Sequence, residues 1–280
     1  MQLQATQTRP AAGSIDRARA LDLTLAVLWP VFAAGVMLAT HLTFVPSMLL
    51  FLLVPGVYLG WRAKASTGRA VAFSAIMGVP LAIIIDYFME VTHAWVLGES
   101  FFGDARAFDY VFIEQIPWLM MFAYLTVAFY QRFVGESDGK TLPSWPLWRL
   151  AAWHGFLFTA FVLSWAFAPD LLVFDYAYLK VGIFFGVLPV IYVVAQHRDL
   201  LRRFAGPAVY FVWFSLIYEV VSLKLGHWAF PNTSQFIGYV EVLGHSFPYE
   251  ELAFWIVLGP ISCLSYFELF ADWTGKRTVK

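Results

Sequence analysis

Charged side chains are what this chain has least of: Asp, Glu, Lys and Arg make up 13% of its 280 residues, against roughly 25% in soluble domains. So little charge cannot clothe a water-facing surface, and with 60% hydrophobic residues the composition predicts a polytopic membrane protein. Cysteine is nearly absent. The single Cys263 excludes an internal disulfide and any cysteine-based zinc or iron–sulfur cage. No excess of basic charge exists either; a net charge of −1 leaves no concentrated basic face and argues against nucleic acid as a partner. Neither GxGxxG nor GxxxxGK[ST] occurs, so no nucleotide or flavin cofactor is expected. Histidine is sparse, at six residues. His93, His227 and His245 lie near Glu90, Glu241 and Glu250 in sequence, a set of donors that suits iron, zinc or manganese, but no HxxxH or ExxH spacing on one helix supports it, since Glu90 closes the third span and His93 falls in the loop after it, and no metal site is assigned.

What is abundant is apolar sequence in long runs. A helix needs about 20 apolar residues to cross a bilayer, and eight runs qualify, near residues 21–40, 44–61, 70–90, 109–131, 150–168, 174–196, 206–224 and 248–270. The basic residues test that count. Alternate connections carry Arg9, Arg17 and Arg19; Arg62, Lys64 and Arg69; Arg132, Lys140 and Arg149; Arg198, Arg202 and Arg203; and Lys276, Arg277 and Lys280, fifteen of the eighteen Lys and Arg residues. By the positive-inside rule these face the cytoplasm. The expectation is an all-α membrane domain over residues 1–280 with cytoplasmic tails at 1–20 and 271–280. The polar start and first apolar run resemble a signal peptide, but the run is long for one and reads as an anchoring helix.

Punctuation residues recur. A shift of about 133 residues brings Pro55 to Pro189, Arg69 to Arg202, Asp86 to Glu219, Trp95 to Trp228 and, at 131, Pro117 to Pro248. Residues 21–131 and 150–270 thus read as two repeats of four helices. An even number of spans makes the repeats parallel, related by an axis along the membrane normal.

The acids gather toward the non-cytoplasmic side. Asp86 and Glu90 close the third span, Glu219 closes the seventh, and Glu114 and the Glu250-Glu251 pair open the fourth and eighth. Ionisable groups inside spans cost about 2.5–3.5 kcal/mol at the helix centre on insertion scales, so they face internal cavities. Glu250 and Glu251 follow Pro248, which also suits an ordinary first helical turn. Phe247, Tyr249, Leu252, Phe254 and Trp255 nevertheless surround them with apolar surface, and two adjacent charges there are unfavourable, so a retained proton is expected. Aromatic residues are numerous, with 12 Trp, 13 Tyr and 28 Phe. Ring faces stabilise a cation by about 0.5–2 kcal/mol each.

The acid Glu219 after Tyr218, the Gly226-His227-Trp228-Ala229-Phe230 turn, Gly238, and Pro248-Tyr249-Glu250-Glu251 before a Phe-containing helix resemble the membrane-integral lycopene cyclases, which occur as paired subunits or fused repeats. Asp86, Trp95 and Pro117 are the first-half counterparts. The resemblance covers residues 213–258 and, more weakly, 80–120. It departs in three respects: Pro117 is followed by Trp-Leu-Met rather than by paired glutamates, with Glu114 one turn earlier as a substitute; Glu219 stands where Asp is usual; and each half has four spans rather than three. The resemblance implies redox-neutral cyclisation of a hydrophobic isoprenoid drawn from the bilayer. Glu250 or Glu251 acts as the acid, Glu219 and Asp86 act as base or orienting groups, and Trp95 and Trp228 border the cation, with Glu90, Glu114, Tyr218, Phe247 and His245 completing the substrate site. Two other readings fit the same acids: an isomerase or hydratase acting on isoprenoid or sterol-like lipids, and a proton-coupled transporter.

Overall fold

The computed structural model describes residues 12–63, 67–135 and 145–270; most of both tails, with Arg9, Lys276, Arg277 and Lys280, and the loop residues Lys64 and Lys140 lie outside the described residues. Eight long helices follow in order: α1 (Ala12–Thr40), α2 (Phe44–Ala63), α3 (Thr67–Val91), α4 (Gln115–Phe133), α5 (Leu147–Phe167), α6 (Ala177–Gln196), α7 (Arg198–Leu225) and α8 (Glu251–Phe270). All except α4 are long and apolar enough to cross a membrane. α4, with 19 residues, reaches about 28 Å at 1.5 Å per residue, close to the thickness of the hydrocarbon layer. The chain is an integral membrane protein.

α4 lies at the centre, packed against α2, α3, α7 and α8, while α1 leans on α7 and α5 on α3. Its buried residues include Phe122, Leu125, Phe129 and Tyr130. Three helices contain a turn of π-helix: α2 at Leu49–Leu53, α6 at Gly182–Val187 and α8 at Glu251–Val257. Each precedes a proline, Pro55, Pro189 and Pro260, whose ring displaces the carbonyl four residues back and whose missing N–H leaves the ladder open. Proline alone is not sufficient, because Pro30, Pro80 and Pro207 sit in unbroken α-helix.

The helix ends sort into two layers. At one end Asp22, fully buried, accepts from Tyr58 Oη (2.6 Å), Arg62 Nε (3.0 Å) and Arg132 Nε (2.7 Å), tying α1, α2 and α4 together. Tyr130 bonds Glu268, and Arg203 donates to the Tyr130 hydroxyl at 3.1 Å. At the other end the loops are not purely irregular, and here the all-helical expectation needs correcting. Six short strands, β1 (Val96–Leu97), β2 (Arg106–Ala107), β3 (Val111–Phe112), β4 (Trp228–Ala229), β5 (Tyr239–Val242) and β6 (His245–Pro248), form three antiparallel ribbons, β1–β4, β2–β3 and β5–β6. Backbone leaving a helix at the edge of a bilayer must pair its amides and carbonyls, and the ribbons do this. They also move two boundaries: α4 starts at Gln115 rather than 109, because Val111 and Phe112 belong to β3, and α8 starts at Glu251 rather than 248, because β6 runs to Pro248.

Candidate functional site

The site is assembled where α3 and α7 end and α4, α6 and α8 begin. α3 and α7 terminate in the same way. His93 (φ 52°) and Gly226 (φ 72°) adopt the left-handed conformation. Their amides bond Glu90 O (3.0 Å) and Leu223 O (3.1 Å), and the next amides, of Ala94 and His227, reach Met89 O and Ser222 O, both at 2.9 Å. Each set is a paired 5→2 and 6→1 helix stop, and the two sets lie 133 residues apart. The chains leaving them pair as β1–β4, with Val96 opposite Ala229 and Leu97 opposite Trp228. This places the Trp95 and Trp228 rings 6.5 Å apart. Gly98 lies so close to the Gly226 carbonyl that a side chain there would collide with it.

Below this ribbon is an apolar cavity of about 170 Å³, reaching from Trp95 and Trp228 inward past Met89, Leu81, Phe122 and Trp255 to Met77 and Cys263. Between Asp86 and Met77 on α3 the cavity extends about 13 Å along the helix axis, at 1.5 Å per residue. Trp118 and Trp255 are 4.5 Å apart and Phe122 and Trp255 4.2 Å apart, their planes tilted by 40° and 53°, so that one wall is built of closely packed aromatic rings. The glycines of the α6 π-turn admit the opposite wall: a side chain at Gly182 would overlap the Phe254 ring. Only a few polar groups interrupt this surface, chiefly Asp86, Gln115, Tyr178, Glu251 and Ser262.

Glu251, at the first residue of α8, faces the cavity. Tyr178 on α6 bonds its Oε2, and behind it the Glu219 carboxyl lies within hydrogen-bonding reach. Trp228 Nε1–H donates to Glu219 Oε1 at 3.0 Å. Glu219 Oε2 finds no donor elsewhere in the protein. Two carboxylates offer only acceptors, so the contact between them forms when one of the pair holds a proton. Both are buried, Glu219 completely. Asp86 lines the same cavity from α3; its Oδ2 accepts the Phe112 amide at 2.9 Å and its Oδ1 has no partner.

The remaining sequence-derived positions lie outside the cavity wall. Glu250, one residue from Glu251 and rotated about 100° around the helix axis, points instead to the loop, where Oε1 accepts the Ile237 amide at 2.8 Å. Glu114 does the same in the first half, accepting the Phe101 amide at 2.8 Å, again thirteen residues back. Glu90 holds the Leu97 amide at 3.1 Å. Tyr218 supports the site from behind, its ring 5.5 Å from Trp228 and 4.6 Å from Phe51. Phe247 is fully buried in the core and His245 lies in the β5–β6 ribbon, opposite Val242; neither lines the cavity. The three outer histidines do not converge. His227 Nε2 donates to Leu42 O at 2.8 Å, and burial pulls its pKa below the ordinary value. Among the described residues no three His, Cys, Asp or Glu side chains are grouped as metal ligands.

The ribbons can be laid over one another in a register that differs from the Pro117–Pro248 match. Arg106↔Phe112 and Ala107↔Val111 in the β2–β3 ribbon match Tyr239↔Pro248 and Val240↔Phe247 in β5–β6. The offset is 133 on the first strand and 136 on the second, because the second hairpin has three more residues at its tip. Beyond it, Glu114-Gln115 falls on Glu250-Glu251. In that register Gln115 falls on Glu251; the sequence reading passed it over although it directly follows Glu114. Tyr178 and Trp118 were also missed; as single aromatic residues in aromatic-rich spans they carry no local signal, whereas Trp255 was read only as apolar surface beside the two glutamates.

An integral membrane protein with two buried carboxyls in reach of one another, one of them lining an aromatic-rich cavity, is thus what fold and site define. No protein-family model, curated protein or solved structure matches the chain.

Proposed function

We propose that this protein is a membrane-embedded isoprenoid cyclase of the lycopene cyclase kind, in which the Glu219–Glu251 pair protonates a terminal alkene of a linear polyene. The observation that carries the reading is the pair itself: two buried carboxyls in reach of one another, one of them opening onto an apolar cavity with closely packed aromatic walls. General acid catalysis needs a held proton at the point of use. Glu251 is the member that faces the substrate and is assigned as the acid. Tyr178 fixes its second oxygen, and Glu219, anchored by Trp228, takes the charge left behind.

Proton addition to the less substituted alkene carbon leaves a tertiary cation. The neighbouring double bond attacks it, closing a ring, and a carboxylate removes a proton from the carbon beside the new cation. The proton count is unchanged and no electrons are transferred. Asp86, on the same cavity with a free Oδ1, is placed to receive that proton. Trp95, Trp118, Trp228 and Trp255 offer ring faces to the cation, and the lipid-embedded cavity limits access of bulk water.

The same reading takes the chain as two fused parallel repeats, α1–α4 and α5–α8, with both termini cytoplasmic. The recurrence of helix stops, π-turns before Pro55 and Pro189, and ribbon registers supports it, as does the gathering of Arg62, Arg69, Arg132, Arg149, Arg198 and Arg203 at the ends of the helices remote from the cavity acids. The test is expression in a lycopene-accumulating bacterium with pigment chromatography. Ring-containing isomers of unchanged mass are expected, and Glu251→Gln is expected to leave lycopene untouched. Intact lycopene with well-folded wild-type protein removes the carotenoid reading.

A further inference from the structure

The two halves place different chemistry on the same cavity. In the second half Glu219 and Glu251 reach each other. In the first half the corresponding positions are Asp86 and Gln115, and they do not: Asp86 Oδ1 and Gln115 Nε2 both lack a partner in the protein, although the residues are only 2% and 3% exposed and both line the cavity. Aspartate is one methylene shorter than glutamate and its Oδ2 is held by the Phe112 amide, which leaves Oδ1 and the Gln115 Nε2 as unpartnered polar atoms of two residues that line one cavity. One face of the gap is an acceptor and the other a donor. A buried polar atom left unpaired costs about 1–3 kcal/mol, and a group that both donates and accepts removes both costs together. A hydroxyl is the smallest group that does so.

We infer that the Asp86–Gln115 half-site binds one hydroxyl oxygen, supplied by a water molecule or by the hydroxyl end of an oxygenated isoprenoid. This rests on the proposed alkene-protonating role of the Glu219–Glu251 pair for its chemical consequence, though not for its existence. With water as the source, a second outcome competes with ring closure. The oxygen lone pair bonds to the tertiary cation, the resulting oxonium loses its proton to Asp86, and return of one proton from Asp86 to the Glu219–Glu251 pair restores both groups. The net change is addition of one water per alkene without redox change. With a substrate hydroxyl as the source, the half-site instead selects oxygenated isoprenoids and sets their depth in the cavity.

The first arm of the test is a crystal structure of the full chain grown in a lipidic mesophase without isoprenoid. An ordered solvent oxygen bonded to both Asp86 Oδ1 and Gln115 Nε2 is expected, and Asp86→Glu, which restores the missing methylene, is expected to expel it. The second arm supplies a linear polyene to membranes in ¹⁸O-water. Water as the source gives a tertiary alcohol carrying ¹⁸O, which falls about tenfold relative to ring product in Asp86→Glu, the loss of one such hydrogen-bonded contact. A substrate source gives no label but an about tenfold preference for a hydroxylated polyene over the hydrocarbon, again abolished by Asp86→Glu. A gap without an ordered oxygen, together with neither label nor preference, overturns the inference. Polyene consumption that survives Glu251→Gln instead removes the acid-pair reading, and leaves the solvent oxygen and the hydroxyl preference as measures of the half-site.

Discussion

The two halves share a scaffold and differ in what they hold at its centre. Both stop their third helix with a left-handed residue, both brace a loop through a glutamate to an amide thirteen residues back, and both carry a π-turn before a proline. Yet one half holds an acid facing an acid and the other an acid facing an amide. On the proposed repeat, the positions that serve the backbone are alike in kind, Glu114 with Glu250, while those at the site differ, Gln115 with Glu251 and Asp86 with Glu219. Two carboxyls can trade a proton between them; a carboxylate beside an amide can only accept one. The second half is thus suited to giving a proton and the first to receiving it.

Two substitutions and their combination break this comparison most directly. Glu251→Gln, which makes the second half resemble the first, is expected to lower conversion by about 10²–10⁴-fold, read as product per folded protein, while Gln115→Glu leaves conversion within about tenfold and does not rescue Glu251→Gln, because Asp86 is too short to complete a pair. Rescue by that double variant places the chemistry in either half and ends the assignment. Next in size is the contrast within the doublet. Glu250→Ala and Glu114→Ala each strip a half-buried loop amide of its acceptor and are expected to cost about 1 kcal/mol of stability in thermal unfolding, whereas Glu250→Gln, retaining a carbonyl oxygen, recovers most of it and keeps activity. Activity that falls as far in Glu250→Gln as in Glu251→Gln assigns both glutamates to the reaction. Trp228→Phe removes the donor on Glu219 and is expected to slow conversion about tenfold; Trp95→Phe, whose indole has no such acid beside it, is expected to change it less.

Much of this arrangement was legible in the sequence because membrane spanning is a length criterion. Eight apolar runs and alternating basic loops were enough to count the helices and to put Asp86, Glu219 and Glu251 at one level. What a run of apolar residues does not record is how its first turn begins: residues 109–114 are as apolar as a helix start, but a ribbon claims them. The same ribbon hid the true partner of Glu251. A single sliding offset matches proline to proline, and the three extra residues at the tip of the second hairpin shift the match past it. Which of two adjacent glutamates meets the cavity depends on where the helix starts, to within one residue, and composition is silent on that. Asp22 shows the opposite failure. An aspartate inside the first apolar run was a signal in plain view, and its partners Arg62 and Arg132 had been assigned only to the loop charge pattern.

The smallest expected effect concerns the helix stops themselves. Position 94 in the first half is a fully buried alanine, and its counterpart, His227, is a buried histidine whose Nε2–H bonds Leu42 O and whose Nδ1 has no partner. Burial favours the neutral ring, so its pKa is lower folded than unfolded. A group with a depressed folded value binds more protons in the unfolded chain; its contribution is complete above the unfolded value of about 6.5 and is lost as pH falls through the folded value. Wild-type protein is therefore expected to lose up to about 1 kcal/mol more stability between pH 7 and pH 5 than His227→Gln, which keeps a donor toward Leu42 O but does not titrate. The comparison is made by thermal unfolding in one detergent at both pH values. Equal slopes for the two proteins mean that His227 is hydrated at both pH values, and the asymmetry between the two helix stops is then one of packing alone.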